Sequence, residues 1–201
     1  NGAGPDVRYL YGRKRSEWAQ PISDATMAMA ASLHMICGEN PLTGRVDYAI
    51  APGGARMSPL DRAGHIVNQM LNNKLLVDKS IVIAGSSRPL KPEEKELDYV
   101  KKHQPDAEIE FHLVVAAERY IHEIYPDLPI LTIHKDDARS GNDGVIDRVM
   151  EEIGGGEGLR IGAVTTQIYH VGLSLDMARA QKRHGWLDYK AAGHCSTPWM
   201  V

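Results

Sequence analysis

Four short apolar stretches, each followed by a helical pattern and each stopping at small, polar or charged residues, predict an α/β fold with a mainly parallel sheet, a Rossmann-like three-layer sandwich. They lie in VDYAIAPGGAR (46–56), SIVIAGSSR (80–88), PILTIHKDDARSGND (129–143) and LRIGAVTTQIYH (159–170). Strands that alternate with helical spans of about 10–15 residues mean βαβ units with right-handed crossovers. In such a sheet, ligands sit beyond the carboxyl ends of the strands. Four strand ends dressed in polar residues therefore predict one composite pocket.

The elements follow in order. Residues 1–21 mix charges with three aromatics and read as an N-terminal arm; residues 22–201 read as a single α/β domain. Ser23 or Asp24 can cap a helix that carries Met27, Ala31 and Met35 and ends at Gly38. After a turn-rich stretch the first strand covers 46–51. Ser58 is a good N-cap with Pro59 at the first helical position, and Leu60, Ala63, Gly64, Val67, Met70 and Leu71 recur on one helical face. The second strand covers 80–84. A helix opens at Pro92, with Glu93, Glu94 and Glu96 early and Lys101 and Lys102 at its end, as the helix dipole favours.

Residues 107–111 read as a short strand and 112–125 as a helix bounded by Pro126. The third strand covers 130–134. Asn142 or Asp143 can cap the next helix, which carries Val145, Ile146, Val149, Met150 and Ile153 and stops at Gly154. The fourth strand covers 160–164, a last helix covers about 172–184, and the tail from 186 can add an edge strand and cross the pocket mouth.

Composition narrows the function classes. A 201-residue chain supports one full domain, and its net charge of −3 gives no argument for binding nucleic acid or an anionic membrane. No apolar run approaches the roughly 20 residues of a membrane span, so a soluble, cytoplasmic chain is expected. It begins at Asn1 rather than Met, which is compatible with an upstream signal or anchor. Cys37 and Cys195 have no metal-ligand spacing, and no metal site is expected.

The strand ends carry the chemistry. Gly53 and Gly54 let backbone approach a ligand and can form an anion nest, with Arg56 adding a bidentate contact to phosphate or carboxylate. The turn is neither GxGxxG nor a Walker loop. Gly85, Ser86, Ser87 and Arg88 repeat the pattern with hydroxyl donors and a second arginine. Two arginines at one crevice imply an anionic ligand. In 134–143, Asp136 and Asp137 can bind ribose hydroxyls or act as a general base, with Ser140 and Asn142 as further ligand contacts. Thr165 and Thr166 offer hydroxyls, and His170 is the candidate for acid–base work, since an ordinary imidazole titrates near neutrality. His170 and Asp137 are thus the catalytic candidates. The absence of a Gly-x-Ser-x-Gly elbow argues against an α/β-hydrolase.

This ordered set resembles the bacterial YdcF/SanA/ElyC family. The matching positions are Gly53-Gly54, Asp61-Arg62, Gly85-Ser86-Ser87, the stretch 137–142, and Thr165-Thr166 with His170. The second motif reads Gly-Ser-Ser where the family has Ser-Gly-Gly, and position 173 is Leu where the family has Arg. The resemblance implies a Rossmann-like fold, a ligand-binding role for Arg62, and a nucleoside-type or anionic ligand. S-adenosylmethionine is one ligand linked to the family, and a nucleotide or sugar phosphate fits the same groups. Two functional classes stay open: a hydrolase or transferase acting on a small anionic molecule, and a non-catalytic sensor or interaction protein linked to the cell envelope. In the second, Tyr9, Tyr11, Trp18, Trp186 and Trp199 would serve partner contacts or a homo-oligomer.

Overall fold

The computed structural model describes residues 40–138 and 141–194, with the backbone alone for Ile168. The arm over 1–21, the helix expected over 23–38, the tail from 195, Ser140 and both cysteines lie outside the described residues. Five strands form one sheet: β1 (Gly44–Pro52), β2 (Leu75–Ser86), β3 (Ile130–Lys135), β4 (Arg160–Thr166) and β5 (Asp188–His194). The order is β3-β2-β1-β4-β5 and every pairing is parallel, the three-layer α/β arrangement expected from the sequence.

Period-two alternation assigns the two faces of the sheet. Ala49 and Ala51 of β1 and Ile81 and Ile83 of β2 pack with α1 (Ser58–Leu71) and α4 (Glu110–Ile124), through Ala63, Ile66, Val114 and Ile121. Ile50, Val82, Ala84 and Ile161 pack on the opposite face with α5 (Asn142–Glu152) and α6 (His170–His184), through Ile146, Met150, Leu173 and Met177. Helices on both sides explain why the central strands read as near-continuous apolar runs. At the amino ends, Arg160 bridges Asp47 and Asp78 while Arg45 also holds Asp78, tying β1, β2 and β4 together. β2 starts at Leu75, five residues before the expected strand, because Leu75 and Val77 join the core and Asp78 is held by Arg45 and Arg160.

Several local expectations are corrected. The helix expected from Pro92 is two short ones, α2 (Pro92–Lys95) and α3 (Asp98–His103). Glu94 is pinned to the site loop below while Tyr99 and Val100 turn into a satellite core with Leu90, Leu113 and Ala117, and the chain extends at Leu97 to serve both. Residues 107–111 form no strand. Only an isolated antiparallel bridge joins Ile109 to Pro89 before α4 begins at Glu110. The N-cap of α1 is Met57 rather than Ser58, and that of α5 is Gly141 rather than Asn142 or Asp143. The carboxylate of Asp143 instead meets Arg183 of α6 at 2.5 Å. The last helix starts at His170, and β5 supplies the anticipated edge strand.

Ile50 is fully buried at the centre of the central strand. Ile50→Ala should lower the urea-measured unfolding free energy by about 3 kcal/mol, with little change in slope, because the surrounding strands cannot collapse onto the void.

Candidate functional site

The sheet divides at its carboxyl end. Pairing of β1 with β4 stops at Ile50↔Ala163, whereas β1 with β2 continues to Pro52↔Ala84 and β4 with β5 to Thr166↔His194. The sheet's halves therefore part between the ends of β1 and β4, where the strand order reverses and open α/β sheets place their ligands.

Arg62, on the first turns of α1, fills the gap left in the ladder. Its Nη1 donates to the carbonyls of Pro52 at 2.6 Å and Gly53 at 2.5 Å. Arg62 is 5 % exposed, and burial pulls its guanidinium down to about 10, partly offset by the charges of Glu110, Tyr169 and Asp61, so it stays cationic at neutral pH. Its Nε has no hydrogen-bond partner among the described residues. On β4, Thr165 is completely buried and its Oγ1 also lacks a partner among the described residues. Thr166 beside it is buried as well.

Gly53 and Gly54 allow close approach, but mainly of the protein to itself. A Cβ on Gly53 would lie 2.3 Å from Glu110 Oε1 and 2.9 Å from the Ala84 carbonyl, and one on Gly54 would lie 2.9 Å from Ser58 Cβ. The Gly53 amide is spent on Ala84 O at 2.5 Å, which removes it from the expected anion nest. Gly85 is required by α4, since a Cβ there would meet Val114 Cγ2 at 2.8 Å.

Arg88 is the second arginine of the sequence reading, and its charge is balanced within the chain. It makes a two-pronged contact with Glu94, at 2.9 and 3.1 Å, and its Nε reaches Glu110 Oε2 at 2.9 Å. Glu94 is 1 % exposed and also accepts the backbone N–H groups of Arg56 and Lys91. Burial alone would raise the Glu94 carboxyl, but Arg88 and those N–H groups outweigh it and hold the carboxyl below the usual carboxylate range. Glu110 in turn accepts the Ser86 amide, and Ser86 Oγ accepts the Arg88 amide. The carboxylate pair thus fixes the β1 and β2 loops, including Arg56 in its left-handed conformation at φ 57°. The half-buried guanidinium of Arg56 has no partner among the described residues.

Other expected residues disperse. His170 opens α6 beside β5, with Nε2 2.9 Å from Asn40 Nδ2 and 3.1 Å from the Ala191 carbonyl. Asp137 is exposed and follows β3. β3 and β5 are opposite edges of a five-stranded sheet, roughly 19 Å apart at ordinary strand spacing. His170 and Asp137 therefore do not converge on one reacting atom. Asn142 begins α5 and is half-buried.

Sequence reasoning did not single out Glu94, Glu110, His134 or His65, whose ring stacks on His194 with centroids 5.4 Å apart. Burial pushes His65 down to about 4, with His194 adding to the effect. Glu94 reads as an ordinary first-turn acid, and no local pattern marks Glu110; both roles come from the β2–α4 approach. A cavity of about 360 Å³ lies between α1 and α4 rather than at the strand ends, lined by Leu60, Asp61, Val67, Tyr120 and Ile121 among others. Burial raises Asp61 there to about 6 against the opposing charge of Arg62.

Among the described residues no group of three or more His, Cys, Asp and Glu is placed to hold a metal, and no helix is long and apolar enough to cross a membrane. The fold and crevice define an open, doubly wound α/β protein with a polar switch-point site. No family model, curated protein or solved structure matches the chain.

Two outcomes follow from these charges. Arg88→Ala strands two buried carboxylates and should cost about 3 kcal/mol in urea unfolding, whereas Arg56→Ala should cost little. Asp61→Asn should stabilise the fold above pH 6, where the native carboxyl must ionise against burial, and the gain should vanish near pH 4. The folded group binds its proton more tightly than the unfolded one, so its contribution falls as pH rises between those values. Thermal melts of the variant and wild type across pH 4–8 read this difference.

Proposed function

We propose that this chain binds a small anionic or nucleoside-type molecule in the crevice between the ends of β1 and β4, and acts on it as a hydrolase or transferase. The observation that carries the reading is that two buried polar atoms, Arg62 Nε of α1 and Thr165 Oγ1 of β4, have no partner among the described residues. Buried polar groups without partners are costly, and a ligand that accepts from both relieves that cost. Arg62 supplies fixed positive charge at low dielectric, and Arg56 supplies a second cation that no described carboxylate neutralises. Phosphate and carboxylate complement this donor set. The order of motifs resembling YdcF-like proteins adds S-adenosylmethionine to nucleotides and sugar phosphates as ligand classes.

A thermal-shift panel of S-adenosylmethionine, nucleotides, nucleotide sugars and sugar phosphates, with and without Mg²⁺, tests the proposal. A ligand at about 100 times its Kd stabilises by about 2.7 kcal/mol, a shift on the order of 5–10 °C for a domain of this size. Thr165→Val keeps the side-chain shape and removes the hydroxyl. It should leave the ligand-free melting temperature unchanged or higher and weaken binding about ten-fold, and Arg56→Ala should abolish the shift. A ligand that shifts both variants as it shifts wild type binds elsewhere, and a flat panel removes the proposed ligand classes.

A further inference from the structure

The ends of β2 and β3 carry a second cluster, one strand away from the crevice. Ser87 Oγ lies 2.9 Å from His134 Nε2 and donates to Asp136 Oδ1 at 3.1 Å. The imidazole is stacked on Phe111 of α4, with ring centroids 4.6 Å apart and planes 19° apart, so its orientation is held by packing. Ser87 is half-buried, as is His134. Its loop is fixed by the Ser87 amide to Lys135 O and by the adjoining Arg88–Glu94–Glu110 network. A serine hydroxyl within hydrogen-bond reach of an oriented imidazole at a strand end is the arrangement of an activated nucleophile.

We infer that Ser87 is a nucleophile with His134 as its base, cleaving carboxylic esters whose anionic part is held in the β1–β4 crevice. The substrate class rests on the crevice reading above; the nucleophile rests on the Ser87–His134 geometry. A hydroxyl has one proton. At rest it goes to Asp136 while His134 Nε2–H donates to Oγ. With the imidazole proton on Nδ1 instead, the hydroxyl turns its proton to Nε2 without movement of a heavy atom.

Oγ then attacks the ester carbonyl carbon as its proton passes to Nε2. The bond from carbon to the alkoxy oxygen breaks, and the alcohol leaves with that proton. Water attacks the acyl-serine, gives a proton to Nε2, and the carbon–Oγ bond breaks as that proton returns to Oγ, releasing the carboxylic acid. Asp136 contacts the hydroxyl and not the imidazole, so the base lacks the carboxylate that strengthens it in a Ser-His-Asp triad. That favours esters, with their better leaving groups, over amides.

The test is covalent labelling of the full chain with an alkyl fluorophosphonate. Oγ forms a bond to phosphorus, fluoride leaves, and the hydroxyl proton passes to His134. One adduct located on Ser87 by peptide mass mapping is expected. It should be absent in Ser87→Ala and form at least ten-fold more slowly in His134→Ala at an unchanged melting temperature. If His134→Ala melts low, His134→Gln keeps a polar side chain against Phe111 and carries the same rate test. No adduct, an adduct only at another residue, or labelling of the histidine variants at the wild-type rate would overturn the assignment. A chain that takes a crevice ligand yet shows no adduct loses the nucleophile and keeps the crevice. A Ser87 adduct with a flat ligand panel upholds the nucleophile and removes the anionic substrate class.

Discussion

Two backbone carbonyls at the end of β1 set the terms for the rest of the site. Because β4 stops pairing at Ala163, the carbonyls of Pro52 and Gly53 face a gap in the ladder, and a single arginine from α1 closes it. A neutral donor could satisfy the hydrogen bonds, but only a cation gives the gap a standing charge. Burying that cation requires counter-charge nearby, which Glu110 and Asp61 provide at a distance rather than by direct pairing. The guanidinium is thus held in place by backbone, and its Nε is left without a partner among the described residues.

The acidic pair Glu94 and Glu110 does the complementary task on the other side of β1. Each carboxylate accepts several N–H donors: Glu94 from Arg56 and Lys91, 35 positions apart, and Glu110 from Ser86 and Arg88 of the β2 loop. Hydrogen bonds to ionised acceptors are stronger than neutral ones. The β1 and β2 loops are therefore rigid through charge, in a region where Gly53 and Gly85 leave no side chain to pack. Arg88 is consumed by this scaffold, whereas Arg56 has no counter-charge among the described residues.

The layers of the fold were legible because they rest on local signals. Apolar runs at strand spacing, the Leu60–Leu71 helical stripe and the Gly154 and Gly185 stops each carry their own physics, and both glycines adopt positive φ at helix ends. The break between α2 and α3 was not legible. It depends on Glu94 being drawn into a salt bridge with Arg88 while Tyr99 packs inward, a conflict that no window of residues displays. The local surroundings of the strand-end residues were less legible than the layers. Arg62 and Thr165 are buried with unpartnered polar atoms among the described residues, while Gly85 admits Val114 and Arg88 pairs with Glu94 and Glu110, surroundings that no local pattern displays. His134 shows the same limit from the other side. Its partner Ser87 is 47 positions away, and only the β2–β3 register, which sets Gly85 opposite His134, brings them together.

That register also relates the two polar centres. Ser87 follows β2, the crevice lies between β1 and β4, and the Gly53 turn sits between them, close enough to the Gly85 backbone that a Cβ would meet it at 3.0 Å. From β4 to β2 is two strand spacings, about 10 Å, which matches the span of a nucleoside-sized molecule. No side chain rises from Gly53 or Gly54 to divide that distance. On the proposed reading, a ligand held by charge at Arg62 and Arg56 would extend across the glycine turn toward Ser87. The absent side chains at 53 and 54 admit the Glu110 carboxylate at one glycine and Ser58 with Arg62 at the other, so the turn is packed by its own neighbours.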